Sequence, residues 1–485
     1  MTASCLPRAH IVDSFLFGNG YASPEARRIF CDRRRLQRWL EVEVALAASQ
    51  AELGIIPQAA AEALAASADL GRFDLGAIRA DLATSSHSLI PLLRAWQALT
   101  PGEAGEWLHF GATTQDIQDT AQSLELRELC DLVDRDLVQI GRLLAALAAE
   151  HRATLMVGRT HGQQALPYTF GLKAAGWLDE LTRNRERLAA CRQRLLVAQL
   201  FAGVGTMASL GPQAEELLAR FAGRLGLAVP ATSWHAARDR SAELTAVLAL
   251  VTGGLARIAN EICQLARDEI GELAEPFHFG KIGSSTMPHK RNPETCEQIV
   301  VLARLVKSAA GVGFDTLVGE HERDYRAVRL EWAALAAAGL YASACTALSR
   351  QVLAGLTVDR ERMAANARAA AERINSEALM FRLGTVLGKQ TAHRLIYQAA
   401  MAAHDRGCSL AEALAQLPEV AGRFRREELG GDLRPEAALG QAAFLVDRLV
   451  AEAGRQLATL AQAPDRPCPL AGADGCCRLS DAQVF

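Results

Sequence analysis

Lysine is scarce in this chain of 485 residues, because only five of its 52 basic residues are lysines. The chain has no basic block of useful length, and its formal net charge of −3 is close to balance. This charge pattern excludes an extended nucleic-acid-binding surface. The most apolar run, Leu244 to Leu255, is shorter than the roughly 18 residues that a membrane helix requires. The N-terminus lacks the apolar core of a signal peptide, so we expect a cytoplasmic protein that binds neither nucleic acid nor membrane.

The 11 cysteines have no spacing that indicates disulfides or a zinc site. Most stand alone within helical patterns, which predicts small buried thiols; these include Cys130, Cys191, Cys263 and Cys345. Three others cluster near the C-terminus, in a segment rich in proline and without histidine: Cys468, Cys476 and Cys477. We therefore expect no metal site, and we expect residues 464–485 to form a disordered tail.

Apolar residues recur every three or four positions over a long central stretch, which predicts one continuous face of a helix. These residues are Leu126, Leu129, Val133, Leu137, Ile140, Leu144 and Leu147. Similar stretches without helix breakers cover about residues 170–200, 241–270, 293–311 and 325–356. Alternation typical of strands is almost absent. The sequence therefore predicts an all-α fold whose central bundle of long helices also packs between subunits.

The length is sufficient for about three domains. Breaks near Pro101 and after Leu356 suggest where they divide. We predict an N-terminal helical domain over residues 1–112, a central helix-bundle domain over 113–360 and a C-terminal helical domain over 361–463.

One polar loop stands out against this helical background. Residues 283–293 have the sequence GSSTMPHKRNP, which combines a leading glycine with hydroxyl, amino and amide side chains. Asn292 and Pro293 suggest an N-cap followed by proline at the first helical position, and the positive end of that helix would favour an anion in the loop. Such a loop can hold the dianion formed when a proton leaves the carbon beside a carboxylate. An ordinary connection with an exposed lysine has the same local features.

Two further polar segments lie directly before helical stretches. LHFGATTQD, residues 108–116, contains Thr113 and Thr114, which could cap a helix or bind a carboxylate; Asp116 would brace the loop. GRTHGQQALP, residues 158–167, places His161 between glycines and before a proline that could begin a helix. A histidine there could transfer a proton near neutral pH, or it could be structural.

The three segments resemble the conserved regions of the fumarase/aspartase superfamily, and the resemblance extends over about residues 21–460. It implies a homotetramer, active sites assembled from three subunits, a small dicarboxylate substrate and no cofactor. By this resemblance Ser284 is the base and His161 an acid group oriented by Glu297. The remaining implied substrate contacts are His87, Thr113, Thr114, Thr160, Ser285, Lys290 and Asn292. His87 could equally cap a helix.

Arginines concentrate in HERDYRAVR, residues 321–329. Arg323 or Arg326 could bind an anionic part of the substrate in a bidentate manner, and the alternative is a solvated helix face.

The chain resembles the branch of the superfamily that contains adenylosuccinate lyases and 3-carboxy-cis,cis-muconate cycloisomerases. Gly20 stands where adenylosuccinate lyases usually have an arginine, and YRAV at residues 325–328 replaces their serines. Bacterial cycloisomerases usually lack the Thr160-His161 pair. We therefore interpret the chain as a C–N lyase, with conversion of nitrosuccinate to fumarate and nitrite as the preferred reaction. The alternatives are the cycloisomerase, adenylosuccinate lyase and a catalytically silent structural relative.

Overall fold

The computed structural model describes residues 10–425, 428–429 and 434–458, and these form an all-α fold as predicted. The predicted tail over residues 464–485, with its three cysteines, lies outside the described residues. Short and medium helices come first: α1 (Pro24–Ile29), α2 (Asp32–Glu52), α3 (Gln58–Ser67), α4 (Leu75–Ser85) and α5 (Ile90–Leu99). They share a hydrophobic core with residues 196–227.

Five long helices and one shorter helix form the centre of the chain: α6 (Thr114–Glu150), α7 (Phe170–Leu195), α8 (Ala214–Leu225), α9 (Asp239–Leu265), α10 (Glu294–Asp315) and α11 (Tyr325–Ala354). The predicted apolar face of α6 is confirmed, because Leu126 through Leu144 of that face are at most 1% exposed. α10 packs along α9 and α11, and α6 packs along α7. The long helices thus bury their apolar faces against one another.

The remaining helices follow the bundle: α12 (Arg360–Ala369), α13 (Ala371–Ile374), α14 (Ser376–Leu387), α15 (Lys389–Arg406), α16 (Leu410–Ala415) and α17 (Ala442–Ala458). α14 to α16 enclose a small separate core. In contrast, α17 returns to α6 and α7, where Val446, Ala453 and Leu457 enter the central core. Hydrophobic contacts therefore cross the proposed boundaries, and the division into three domains remains a prediction.

Two small antiparallel sheets interrupt the helices in the described residues. β1 (Leu155–Thr160) and β2 (Gln163–Thr169) form a hairpin, and β3 (Leu273–Ala274) pairs with β4 (Thr357–Val358). The hairpin corrects one expectation, because Pro167 lies within β2 and the following helix begins at Phe170, with the side chain of Thr169 as its cap. A proline is tolerated in a strand that has no partner on its other side.

The first turns of α6 are buried although their side chains are polar. Asp119 binds the guanidinium of Arg238 through both carboxylate oxygens, at 2.8 and 3.0 Å, and Arg238 also binds Glu331 of α11. All three side chains are at most 2% exposed. Burial is the largest cause of the raised pKa of Glu331, and Arg238 partly opposes it. This buried ion cluster therefore connects α6, the start of α9 and α11. Its two carboxylates share the positive charge of Arg238.

Two central helices, α9 and α11, are long and apolar enough to cross a membrane by length and composition. In the most apolar 18-residue stretch of each helix, 61% of α9 and 67% of α11 is buried within the chain. Core helices of a bundle have the same composition, so these are core helices of the fold.

Candidate active site

Ser284 lies in the loop over residues 283–293, called the signature loop below. Its hydroxyl oxygen accepts hydrogen bonds from the backbone amides of Met287, at 3.1 Å, and Thr286, at 3.4 Å. Amide donors aimed at an oxygen favour its negatively charged form. The loop can therefore stabilise Ser284 as an alkoxide, the form that removes a proton.

The two ends of the signature loop are close together. The Asn292 side-chain amide donates to the Gly283 carbonyl oxygen at 2.7 Å, and a Cβ atom on Gly283 would lie 2.2 Å from the Lys290 carbonyl oxygen. The expected cap is therefore wrong: α10 begins at Glu294 with Pro293 as its N-cap residue, and the side chain of Asn292 closes the loop. One of the two amide hydrogens of Asn292 remains available to a ligand.

The N-terminus of α10 was expected to favour an external anion, but two of its first-turn amides are already occupied. The carboxylate of Glu275 accepts from the backbone amides of Thr295, at 3.3 Å, and Cys296, at 3.0 Å. A bound carboxylate in this position satisfies the helix end. A substrate anion near the signature loop therefore depends on side chains such as Lys290, which is exposed.

The threonine segment begins α6. Thr113 is the N-cap residue, and its backbone amide donates to Asp116 at 3.0 Å. Asp116 is fully buried and also accepts from Phe201 and Ala202 amides, at 3.0 Å each, and bonds to His235 Nε2 at 2.9 Å. Asp116 thus braces the segment, as proposed, and holds it against residues 201–202.

Arg323 reaches the threonine segment from the loop before α11. Its Nη1 donates to Thr113 Oγ1 at 3.0 Å, and its Nη2 donates to the Gly203 carbonyl at 2.6 Å. The hydroxyl of Thr113 therefore accepts from arginine and keeps its own hydrogen for a ligand. Arg326 instead pairs with Asp324, at 2.7 Å, and with Glu320. In the described residues it is Arg323, not Arg326, that contacts Thr113.

The Thr160-His161 pair lies at the turn of the β1–β2 hairpin, where Thr160 pairs with Gln163. His161 and Gly162 have φ angles of +52° and +74°, as a two-residue turn between strands requires. Both Thr160 and His161 are exposed in the single chain. The hairpin therefore presents the imidazole at its outer end.

Two remaining candidates have simple local surroundings. His87 Nδ1 accepts from the backbone amides of Leu89, at 3.3 Å, and Ile90, at 3.2 Å, so it caps α5 and leaves Nε2 available. Glu297 is exposed in the first turn of α10, one turn beyond the signature loop.

The described residues of one chain do not bring all these groups together. Thr113 and Arg323 are in contact, and Ser284, Ser285, Lys290 and Asn292 share one loop. No hydrogen bond or ion pair is found, over the described ranges, between this loop, the hairpin turn and the threonine segment. Within the same ranges, no hydrogen bond or ion pair joins the side chain of Thr114, Thr160 or Glu297 to another predicted site residue. The same ranges contain no group of three or more metal-binding side chains.

Sequence reasoning missed one ion pair beside the threonine segment. His109 Nδ1 lies 2.6 Å from Glu43 Oε1, and the Glu43 carboxylate is almost fully buried. His109 has a φ angle of +60°, an uncommon conformation for a residue with a side chain. Burial lowers the pKa of His109, but the charge and hydrogen bond of Glu43 outweigh burial, so this pKa is raised. In the sequence, the signal that could have drawn attention to His109 was its position directly before Phe110 and Gly111.

This ion pair predicts a pH-dependent stability. The folded-state pKa of His109 is above its ordinary value, so its stabilising contribution is complete below about pH 6.5 and is lost as pH rises through the folded-state pKa. We expect His109→Gln to lower the melting temperature more at acidic than at alkaline pH. Calorimetry of both proteins across this range measures the difference. The exposed His393→Gln variant should show no such trend, and an equal His109 effect at both pH extremes would contradict the prediction.

Comparisons with known proteins place these features in a family. A family model described as Lyase matches residues 20–307, and one described as Adenylosuccinate lyase C-terminus matches residues 373–449. The chain is 42% identical to an N-acetyl-S-(2-succino)cysteine lyase of Dickeya dadantii, over 91% of this chain and 97% of that protein. It is 36% identical to an adenylosuccinate lyase of Methanocaldococcus jannaschii, over 89% of this chain and 94% of that protein.

The fold agrees with these sequence relatives. The crystal structure of 3-carboxy-cis,cis-muconate lactonizing enzyme from Pseudomonas putida superposes with a TM-score of 0.84 at 36% identity, covering 91% of this chain and all of that one. The Lyase match spans more than half of the chain and includes the signature loop. The chain therefore belongs to the fumarase/aspartase superfamily, in its adenylosuccinate lyase-like branch, and is a lyase of that superfamily.

Proposed function

We propose that this enzyme catalyses β-elimination from a succinyl thioether, with N-acetyl-S-(2-succino)cysteine as the representative substrate and fumarate and a thiol as products. The sequence alone favoured nitrite as the leaving group. Two relatives at 42% and 40% identity, both N-acetyl-S-(2-succino)cysteine lyases, move the proposal from nitrogen to sulfur. The observation that carries the elimination chemistry is the Ser284 hydroxyl oxygen, which accepts two backbone amides.

Proton removal is the first step of the proposed reaction. Ser284 Oγ takes a proton from the CH₂ group next to one substrate carboxylate, and the electron pair of that C–H bond moves into the carboxylate. The amides of Thr286 and Met287 stabilise the charged serine before the transfer. The dianion then expels sulfur, so the C–S bond breaks and a carbon–carbon double bond forms.

The developing dianion requires donors that are already in place. Lys290 supplies a positive charge, and Asn292 supplies its second amide hydrogen. Ser285 lies beside the base, and Thr113 and Thr114 supply hydroxyl donors from the start of α6. Because Arg323 donates to Thr113 Oγ1, the hydroxyl hydrogen of Thr113 points away from Arg323 and can be donated to another acceptor.

A thiol leaving group needs less help from His161 in protonation than an amine leaving group does. A thiol has a pKa of about 8.5, so a departing thiolate is close to stable at neutral pH, whereas a departing amine anion is not. His161, with Glu297 as its orienting carboxylate, then assists protonation of sulfur. Thr160 and His87 supply further polar contacts to the substrate, while Arg323 acts mainly through Thr113.

A homotetramer with shared active sites accounts for the separation of the groups within one chain. Central helices leave apolar side chains exposed, including Leu250 (54%), Val301 (40%) and Leu330 (39%). Such residues are expected at an interface between bundles. Size-exclusion chromatography with light scattering tests the assembly. Mixing Ser284→Ala and His161→Ala subunits should raise activity above that of either variant alone if their sites combine residues from different chains.

The thiol chemistry is consistent with a reducing compartment. Several cysteines within the described residues are free, buried thiols, including Cys130, Cys191 and Cys345. Free buried thiols are typical of cytoplasmic proteins, so we place the enzyme in the cytoplasm.

Direct assay of four substrates tests the proposed function. N-acetyl-S-(2-succino)cysteine, nitrosuccinate, adenylosuccinate and 3-carboxy-cis,cis-muconate are incubated with the full chain, and fumarate is followed by ultraviolet absorbance. We expect the thioether to give the highest kcat/KM, with one thiol released per fumarate. Faster release of nitrite from nitrosuccinate would overturn the thioether assignment, and lactone formation without fumarate would overturn elimination.

Gly283→Ala is expected to lower kcat by on the order of 10²-fold, because displacement of reacting groups by about 1 Å has that effect. The new Cβ would lie 2.2 Å from the Lys290 carbonyl oxygen, so the ends of the signature loop must separate. The measurement is steady-state kinetics together with the melting temperature. Gly223→Ala is the matched control, since beyond the adjacent backbone of its own helix no described atom lies within 4 Å of its new Cβ. Wild-type kcat for Gly283→Ala would contradict the proposed loop geometry.

A further inference from the structure

One buried carboxylate outside the predicted site lies at the base of the signature loop. Glu275 directly follows β3 and is 7% exposed. Its Oε1 accepts from Lys281 Nζ at 2.5 Å and from the Thr295 amide at 3.3 Å, and its Oε2 accepts from the Cys296 amide at 3.0 Å. Lys281 precedes the signature loop, while Thr295 and Cys296 follow it. Glu275 therefore bonds to both ends of the loop.

Within the described residues of one chain, the loop has few other restraints. Residues 285–291 are exposed, and the hydrogen bonds of Asn292 and Ser284 close only on the loop's own backbone. Outside the loop, Phe277 contacts Arg291 through its ring face at 4.9 Å. Bonds to a charged, buried carboxylate are stronger than bonds between neutral groups. The orientation of the loop relative to the bundle thus depends most on Glu275.

We infer that Glu275 is a positioning residue for the elimination, which holds the signature loop so that Ser284 faces the substrate carbon. This inference rests on the proposed function, because it assigns Glu275 a role through Ser284 and Lys290. It also explains why the substrate carboxylate depends on side chains, because Glu275 already accepts from two first-turn amides of α10, those of Thr295 and Cys296. Loss of its charge would release the helix end and Lys281 together.

Glu275→Gln removes the charge and keeps the shape. We expect kcat to fall by on the order of 10²-fold, as for other small displacements of reacting groups, with KM changed by less than about threefold. Hydrogen exchange of backbone amides should accelerate over residues 276–293 and remain unchanged in α6 and α7. The matched control is Glu294→Gln, an exposed glutamate in the first turn of the same helix, which should behave as wild type. Glu275→Asp, which restores the charge, should recover part of the lost kcat.

The outcomes separate the inference from the proposed function. Wild-type kcat and wild-type loop exchange in Glu275→Gln would overturn the inference, as would a lower melting temperature with unchanged kcat. If Glu275→Gln does not fold, the same criteria apply to Glu275→Asp. If the wild-type enzyme turns over no thioether, the proposed function fails, and kcat is then measured on whichever substrate releases fumarate while hydrogen exchange tests the loop independently.

Discussion

Replacing Ser284 with alanine is expected to lower kcat by at least about 10³-fold, within the range attributed to a general base. The carbon acid is very weak, and the alanine variant has no oxygen to receive its proton. The amides of Thr286 and Met287, which donate to Ser284 Oγ, would then have no alkoxide to stabilise. Because the hydroxyl contacts only nearby backbone, the melting temperature should remain unchanged. Steady-state kinetics on the thioether and calorimetry test both statements.

His161→Ala provides the diagnostic comparison. A thiolate leaves without full protonation, so we expect a loss of only roughly 10-fold. Equal losses for the two variants would indicate a poorer leaving group, such as an amine, and an essential acid. Ser376→Ala, at the first position of α14 and outside the predicted site, is the control for serine removal. Unchanged kcat in Ser284→Ala would eliminate Ser284 as the base.

Replacing Arg238 with methionine is expected to lower the free energy of unfolding by about 3–5 kcal/mol, the usual effect of leaving a buried charge without its partner. The substitution removes the guanidinium that binds both Asp119 and Glu331, which are almost fully buried. Chemical denaturation at one fixed protein concentration measures the change, because assembly also contributes to stability.

The pH dependence of this variant identifies the cause. Burial already raises the pKa of Glu331, and Arg238 opposes that rise, so without Arg238 the folded-state pKa of Glu331 should lie further above its unfolded value. The destabilisation from Glu331 is then absent at acidic pH, where the carboxyl is protonated, and grows as pH rises. The control is Arg183→Met, whose partner Asp179 is 45% exposed, so we expect a change within about 0.5 kcal/mol. A similarly small change for Arg238→Met would contradict a charge-dependent core.

Periodicity predicted the long helices because each helix buries a continuous apolar face. The residues of α6 from Leu126 to Leu144 carry that signal within one segment. The same local information gave the wrong structure for Pro167, since a proline can begin a helix or lie in a strand with a free edge. Only pairing with β1 decides between these, and pairing is not a property of the proline's neighbours.

The site shows the same division between local and distant information. The signature loop and the threonine segment were recognisable as contiguous motifs, whereas Glu275 and Glu43 were not. Glu43 contacts His109 across 66 positions, and Glu275 contacts Cys296 across 21. Neither spacing has a periodic signature. Similarly, the leaving group is a small part of the substrate, and the motif residues did not identify it. The relatives of this chain moved the proposal from nitrite to a thiol.

The bond between Arg323 and Thr113 has a consequence for how activity is acquired after synthesis. These residues are 210 positions apart, so the guanidinium meets the hydroxyl only after α6 through α10 have been laid down and packed. Contacts between remote parts of a chain form slowly, because the intervening polymer must first be confined. During refolding, helical circular dichroism should therefore recover well before turnover, and a nascent chain that ends before Arg323 should be helical yet inert.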